Sequence, residues 1–345
     1  MKGALSLSIL REMRLRGFDV TLAYFYPEAV GYTWDECADF SADDRLVNMT
    51  DAPGVYGVER LSRVIRERDI SLALQIGAPQ AYSQIARVRE QHPELHVLDI
   101  LYNPVGHTVA HFLFEGAFDG VIVESEAMRQ FMLQNTAKTE PMVHVLISGI
   151  DLDVFKPRSP AAASQDLVVG YVGRMSPEKD PLRFVSLAEA VHARLPDVRF
   201  QMYGEGAMAD EVRARVAAGS APAAIDFRGY VPHVRDALHA VDVLVVPSKV
   251  DGRPNVVMEA NACGIPVLGT RVGGIPELIE HGANGFLLSD DAEAQVADLV
   301  RGWIAEPSSL VNLKRRCRLV AEERFDRRKM MDAYARVFAV CGARG

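Results

Sequence analysis

The stretch DVLVVPSKVDGRPNVVMEANACGIPVLGT, residues 242–270, reads as one complete supersecondary unit. Residues 242–248 are a short apolar run closed by Pro247 and Ser248, which predicts a buried strand. Pro254 fits the first turn of a helix running from about Asn255 to Cys263. Residues 266–270, PVLGT, are a second short apolar run. A strand, a helix and a strand without polar alternation in the strands predict a parallel crossover covered on both faces. Working outward, the same alternation continues in both directions. Strands are expected at 167–173, 198–204 and 225–229 on one side of an interruption, and at 18–26, 70–77, 95–103, 119–126 and 142–148 on the other. The interruption, KPRSPAAASQD at 156–166, is rich in Pro, Ala and Ser and reads as a linker.

The fold class expected is therefore α/β, with two doubly wound, Rossmann-like domains facing each other across a cleft. The first covers 1–157 and the second 165–323. Ligands of such sheets bind beyond the carboxyl ends of the strands. The 345 residues and the 49% hydrophobic content suit two cores. A net charge of −8 argues against a nucleic-acid binder. Cys37, Cys263, Cys317 and Cys341 form no CxxC pair and read as reduced thiols of a cytoplasmic protein. No apolar run is long enough for a membrane span. The opening MKGALSLSIL is broken by Arg11, Glu12 and Arg14 and reads as an amphipathic helix over 4–16, with Leu5, Ile9, Leu10 and Met13 on one face. A doubly wound domain ordinarily places a strand and a Gly-rich turn before such a helix, so the first strand is expected to be missing; the alternative is a domain that simply starts with a helix.

Several motifs follow expected strands of the second half. In GYVGRMSPEKD (170–180), Gly173 allows a sharp turn, Ser176 and Pro177 suit a helix start, and Arg174 and Lys179 are cations placed for an anion such as a diphosphate. The alternative is two solvated surface charges. MYGEGAMADEV (202–212) carries a GxG turn that allows close approach to a ligand, and it equally fits an ordinary strand–helix connection. The strand end at Arg228 and Gly229 offers backbone to the edge of a nucleobase. Amides at Asn255, Val256 and Val257 should point out of their helix start toward a phosphate or sugar oxygen. Glu259, one turn further along, can accept two hydrogen bonds from a ribose diol, and Asp251 can do the same for a sugar ring. The alternatives are a turn aspartate and a helix-surface glutamate. Nothing in the sequence raises either pKa. His107 and His111 are four residues apart without the third ligand a metal site needs. His107 reads equally as an active-site or a capping histidine, and His111 as structural. DLD at 151–153 leaves the first domain and is not read as a metal site.

Taken in order, ISGIDLDVFKP (147–157), GYVGRMSPEKD, YGEG, FRGYV, residues 245–288 and ERFDRRKMMDAYARVF (323–338) resemble the retaining GT-B glycosyltransferases of glycosyltransferase family 4. In the first domain the resemblance is carried by GALSLSILREMRLRGFDVTL and VIVESEAMRQFML. It implies transfer of a sugar from a UDP-, GDP- or ADP-sugar to a glycan, lipid-linked or small-molecule acceptor, with retention of configuration and without metal or other cofactor. Arg174 and Lys179 would hold the departing diphosphate, helped by amides near Val256 and Val257. Glu259 would bind the ribose and Asp251 the donor sugar, with Gly204, Arg228 and Gly229 beside the nucleoside. The leaving phosphate would take the acceptor proton. The final helix, within 324–345, would return to complete the first domain. The family's active-site histidine would fall near Tyr102 and Asn103, and its role passes to His107. Its first acid is usually Glu, so Asp251 is shorter by about 1.5 Å. Ser148 stands where Asn is common. The short start and Asp251 also fit a second reading, a non-catalytic GT-B module. Arginines 11, 14, 16, 60, 63, 66 and 68 fit either solvated helix faces or peripheral contact with the inner membrane face. The sequence leaves the oligomeric state open.

Overall fold

In the computed structural model the described residues are 4–25, 35–106, 108–158 and 167–343. The chain divides into two units. Unit 1 comprises Met1–Ile147 and Arg328–Gly345, and unit 2 comprises Ser148–Arg327. The division falls at Ile147/Ser148 rather than at the Pro-rich stretch because Ile150 and Leu152 already pack into the core of unit 2. Most of that stretch, residues 159–166, lies outside the described residues.

In unit 1, β1 (Leu22–Tyr24) pairs in parallel with β2 (Leu46–Asn48). A separate sheet runs in the simple order β3 (Leu72–Ile76), β4 (His96–Leu101), β5 (Gly120–Val123) and β6 (Val143–Val145), all parallel. Every residue of β5, Gly-Val-Ile-Val, is buried, as an all-apolar strand covered on both faces must be. The helix Ala4–Leu15 contributes Ile9 and Met13 to one core. The helix Arg327–Gly342 contributes Met330, Met331, Tyr334, Phe338 and Cys341 to the same core, against Leu98, Ile100 and Ile122. Thus the C-terminal helix belongs to unit 1. Arg16 fastens it further through Asp332, 2.7 Å away.

Unit 2 holds six parallel strands: β7 (Val168–Val172), β8 (Arg199–Tyr203), β9 (Ile225–Gly229), β10 (Val243–Val246), β11 (Val267–Gly269) and β12 (Gly285–Leu287). Their order across the sheet is β12-β11-β10-β7-β8-β9. The strand order therefore reverses between β7 and β10, and that is where an open α/β sheet leaves a crevice beyond its strand ends. Two apolar layers cover the faces. One is built around Phe184, Phe200 and Val300, the other around Leu244, Val257 and Phe325.

A buried amide pair ties the helix Asn255–Ala262 to the turn before β12. Asn284 Nδ2 donates to Asn261 Oδ1 (2.7 Å) and to the Leu278 carbonyl (2.9 Å), while its Oδ1 accepts from the Glu280 amide (2.7 Å). Asn261 Nδ2 in turn donates to the carbonyls of Ile265 and Asn284. Both side chains are fully buried. Removing one partner leaves several buried polar atoms unsatisfied, so Asn284→Ala should destabilise unit 2 by about 2–4 kcal/mol. Urea unfolding of the variant beside the parent protein measures this, and a loss within error would mean the network is dispensable.

No helix among the described residues is long and apolar enough to cross a membrane.

Candidate functional site

Strand β7 ends at Val172, and the chain turns at Gly173. The turn is braced by its neighbours: the Gly173 amide donates to the Tyr203 carbonyl (3.0 Å), the Met175 amide to that of Glu205 (2.9 Å), and Tyr171 Oη to the Arg174 carbonyl (2.8 Å). A short 3₁₀ turn, Pro177–Lys179, follows. Asp180 then adopts a left-handed conformation (φ 47°, ψ 58°) and leads into the helix Pro181–Arg194. This sharp reversal carries Lys179 back over the end of β7.

On the other side of the switch point, β10 runs into Ser248 and a loop that carries Asp251. A third turn holds that loop. The Gly274 amide donates to the Gly252 carbonyl (2.7 Å), and a Cβ on Gly273, at φ 52°, would lie 1.6 Å from the Asp251 carbonyl oxygen. Only glycine fits there. The double glycine therefore sets the Asp251 loop rather than merely punctuating a helix.

Between these loops is a cavity of about 140 Å³, lined by Gly173, Lys179, Ser248, Asp251, Asn255 and Val256 together with the ends of β7 and β10. Lys179 Nζ pairs with Asp251 Oδ2, and Ser248 Oγ donates to the same oxygen at 3.1 Å. The helix Asn255–Ala262 starts at the cavity, with Pro254 just before it. One expectation needs correction: the Val257 amide donates to the Pro254 carbonyl at 3.1 Å, and the Val257 side chain is fully buried. The first turn is tight enough to use up that donor, and of the three residues only Asn255 and Val256 line the cavity.

Glu259 lies one turn into this helix and is half-buried. Burial alone pushes its carboxyl up to about 7, a perturbation that the sequence did not signal. Cys263, at the far end of the helix, is pushed up to about 12 by burial, with the Glu259 carboxylate adding to the effect.

The remaining candidates scatter along the same sheet edge. Arg174 stands 62% exposed, facing Glu178 at 3.7 Å, and does not line the cavity. Gly204 needs its φ of 135° for a different reason from the one expected: a Cβ there would meet the Gly173 carbonyl oxygen at 1.8 Å, so the close approach is to the neighbouring turn. Arg228, at the end of β9, pairs with Asp226 (2.5 Å), and Gly229 has φ 70°. All four of these residues lie at or just beyond the carboxyl ends of β7, β8 and β9.

In unit 1, His107 lies outside the described residues. His111 is fully buried, with Nδ1 2.8 Å from Asp99 Oδ2, which also accepts from Tyr82 Oη at 2.8 Å. That is a core contact, as the structural reading of His111 requires. Asp151 Oδ1 accepts from the amides of Asp153 (3.0 Å) and Val154 (3.1 Å), closing a local turn. Sequence reading passed over Ser248. Its place at the end of a buried strand was the only available hint.

Residues 166–306 match the family described as glycosyl transferases group 1. This stretch is a glycosyl transferases group 1 domain. It contains the candidate donor-site residues of unit 2, from Gly173 to Glu259. Among similar proteins are the alpha-maltose-1-phosphate synthase of Mycobacterium tuberculosis strain H37Rv, 32% identical over 218 residues covering 56% of each chain. Another is the D-inositol 3-phosphate glycosyltransferase of Segniliparus rotundus, 29% identical over 222 residues covering 58% of this chain and 46% of that one. The chain thus spans about half the length of the curated relatives it matches. Among solved structures, Anabaena Alr3699/HepE in complex with UDP superposes with a TM-score of 0.80 at 18% identity, covering 97% of this chain and 95% of the other. Sucrose-phosphate synthase from Thermosynechococcus elongatus gives 0.78 at 16% identity, covering 100% and 94%. The group 1 domain and its companion unit thus have the parallel α/β folds of GT-B glycosyltransferases.

Proposed function

We propose that this protein is a retaining glycosyltransferase that moves a sugar from a nucleotide-sugar to a hydroxyl-bearing acceptor, with no metal required. The observation that carries this reading is the convergence, at the switch point between β7 and β10, of a lysine, a carboxylate and a helix start on one cavity. A mobile cation and two amides suit a diphosphate. A carboxylate beside them suits sugar hydroxyls. The similarity to Alr3699/HepE, solved with UDP, and to the curated maltose-1-phosphate synthase and inositol 3-phosphate glycosyltransferase supports the same chemistry.

In this reading Lys179 and the amides of Asn255 and Val256 hold the diphosphate, with Arg174 reaching in from the rim. Gly173 keeps the turn beside them free of side chain, and Glu259 accepts from the ribose hydroxyls. Gly204, Arg228 and Gly229 lie on the nucleoside side, and Asp251 orients the sugar. The bond between the anomeric carbon and the diphosphate oxygen breaks while the acceptor oxygen bonds to that carbon on the same face. The acceptor proton passes to the departing phosphate oxygen, so no side-chain base is needed. The protein's part is to stabilise the charge growing on the leaving diphosphate. His107 remains the proposed active-site histidine of unit 1. The acceptor is a glycan, a lipid-linked sugar or a small molecule that bears a hydroxyl.

A thermal-shift panel of UDP, GDP, ADP and their sugar conjugates, all in EDTA, tests the reading. A raised melting temperature with one nucleotide family is expected. A cooperative melt that none of them moves would sink it.

A further inference from the structure

The cation at the centre of the cavity already has a partner. Lys179 Nζ is held by Asp251, whose Oδ2 is also fixed by Ser248 Oγ at 3.1 Å. The two loops are stapled to each other independently of this pair. The Glu178 carbonyl accepts from the amides of Lys249 (2.9 Å) and Val250 (3.2 Å), and Lys249 Nζ pairs with Asp180 Oδ2 at 3.0 Å. The Asp251 side chain is 8% exposed and its loop is pinned by the Gly273–Gly274 turn, whereas Lys179 is 23% exposed on a flexible four-carbon stem. When another anion arrives, the lysine can swing and the aspartate cannot.

We propose that Asp251 is the internal counter-ion of Lys179, so that a nucleoside diphosphate binds by exchange: its phosphate takes over Nζ and leaves the Asp251 carboxylate open. This rests on the reading that Lys179 holds the diphosphate, and it adds two consequences. The open carboxylate, still tied to Ser248, is then ready to accept from a sugar hydroxyl, so a sugar nucleotide satisfies it and a bare nucleoside diphosphate does not. The same carboxylate competes for Lys179 once the sugar has gone, which favours release of the spent nucleotide. The apparent affinity for a diphosphate is lowered by the fraction of lysine held in the pair.

Isothermal titration of UDP, GDP and ADP into the parent protein, Asp251→Asn, Lys179→Met and the double variant tests this. Asp251→Asn should tighten the best-bound nucleoside diphosphate roughly tenfold, as expected if about nine-tenths of the lysine is held. In the Lys179→Met background the same change should have less than about a threefold effect, since there is no lysine left to free. Equal tightening in both backgrounds would mean simple removal of a negative charge and would overturn the counter-ion, as would no tightening in the parent background. Should Asp251→Asn melt abnormally, Asp251→Ala must show the same direction. If Lys179→Met binds like the parent, the diphosphate reading fails and takes the counter-ion with it. If Lys179→Met binds weakly but Asp251→Asn is unchanged, only the counter-ion fails. Absence of binding by any of the three nucleotides to both the parent and Asp251→Asn overturns both.

Discussion

Replacing Arg174 and Lys179 together with alanine is expected to weaken nucleoside-diphosphate binding at least about 100-fold while leaving the fold intact. Two charge-assisted hydrogen bonds to a phosphate are worth about 1.5–3 kcal/mol each, and a hundredfold loss corresponds to about 2.7 kcal/mol. The contributions should be unequal. Lys179 lines the cavity, whereas Arg174 stands in solvent against Glu178. The single change Lys179→Ala should therefore account for most of the loss, and Arg174→Ala for a few-fold. The fold should tolerate both changes because neither side chain belongs to a hydrophobic core. Titration calorimetry with UDP, GDP and ADP supplies the number, and unchanged affinity in the double variant would remove the diphosphate site altogether.

Glu259→Gln should separate stability from binding, in opposite directions. The Glu259 carboxyl is raised by burial from 4.5 to about 7, so the folded protein holds this proton more tightly than the unfolded chain does. The stabilisation linked to that proton is full below about pH 4.5 and is lost as pH rises through 7. At pH 8 the ionised carboxylate is a burden on the fold of up to about 3 kcal/mol, which glutamine does not carry. The variant should thus be more stable than the parent at pH 8 and nearly equal to it at pH 4.5, by urea unfolding at the two values. Binding should move the other way. A ribose diol donates to the ionised form, so at pH 8 ribonucleotides should lose about 10–100-fold in affinity to Glu259→Gln while inorganic pyrophosphate changes little. Equal losses for both ligands would refute the ribose contact. Because the diol favours the carboxylate, nucleotide binding by the parent near pH 6.5 should release a proton, visible as a dependence of the heat of binding on the buffer.

The long, buried strands were the most legible part of the molecule. Strands β7, β8 and β9 coincide with 167–173, 198–204 and 225–229 to within a residue or so, because β7 is a continuous apolar run, β8 and β9 alternate apolar with polar residues, and each is closed by a glycine. Two strands escaped. Strand β2, Leu46–Asn48, is three residues long and follows Asp43, Asp44 and Arg45, so no apolar pattern marks it. Strand β12, Gly285–Leu287, starts on a glycine and exists because β11 offers it a free edge, which is information carried by the sheet and not by the segment.

At the site, residue types were legible and pairings were not. Lys179 and Asp251 are 72 positions apart, and only the parallel neighbours β7 and β10 bring them together. The consumption of the Val257 amide depends on a few degrees in one turn. The raised Glu259 pKa depends on what packs around a helix, and Gly204 answers to the backbone of the next turn rather than to a ligand. Chemistry can be read from single positions, but electrostatic state arises from contacts between distant ones.

The return of the C-terminal helix to unit 1 fixes an order of events during synthesis. Unit 2 is one uninterrupted segment whose two ends lie side by side: the Ile150 amide donates to the Phe325 carbonyl (2.7 Å), and the Arg327 amide to that of Ile150 (3.1 Å). It is in effect an insertion into unit 1. The ribosome delivers the first 147 residues before unit 2, yet Ile9, Met13, Leu98 and Ile100 have no apolar cover on one side until Met330, Tyr334 and Phe338 arrive. The part begun first is finished last, and unit 2 can close while unit 1 still waits. For that interval the nascent chain carries an open apolar face, the kind of surface on which chaperones act and nascent chains aggregate. Truncations near residue 327 should prolong that state indefinitely, which makes the last helix as necessary to solubility as any residue in the cavity.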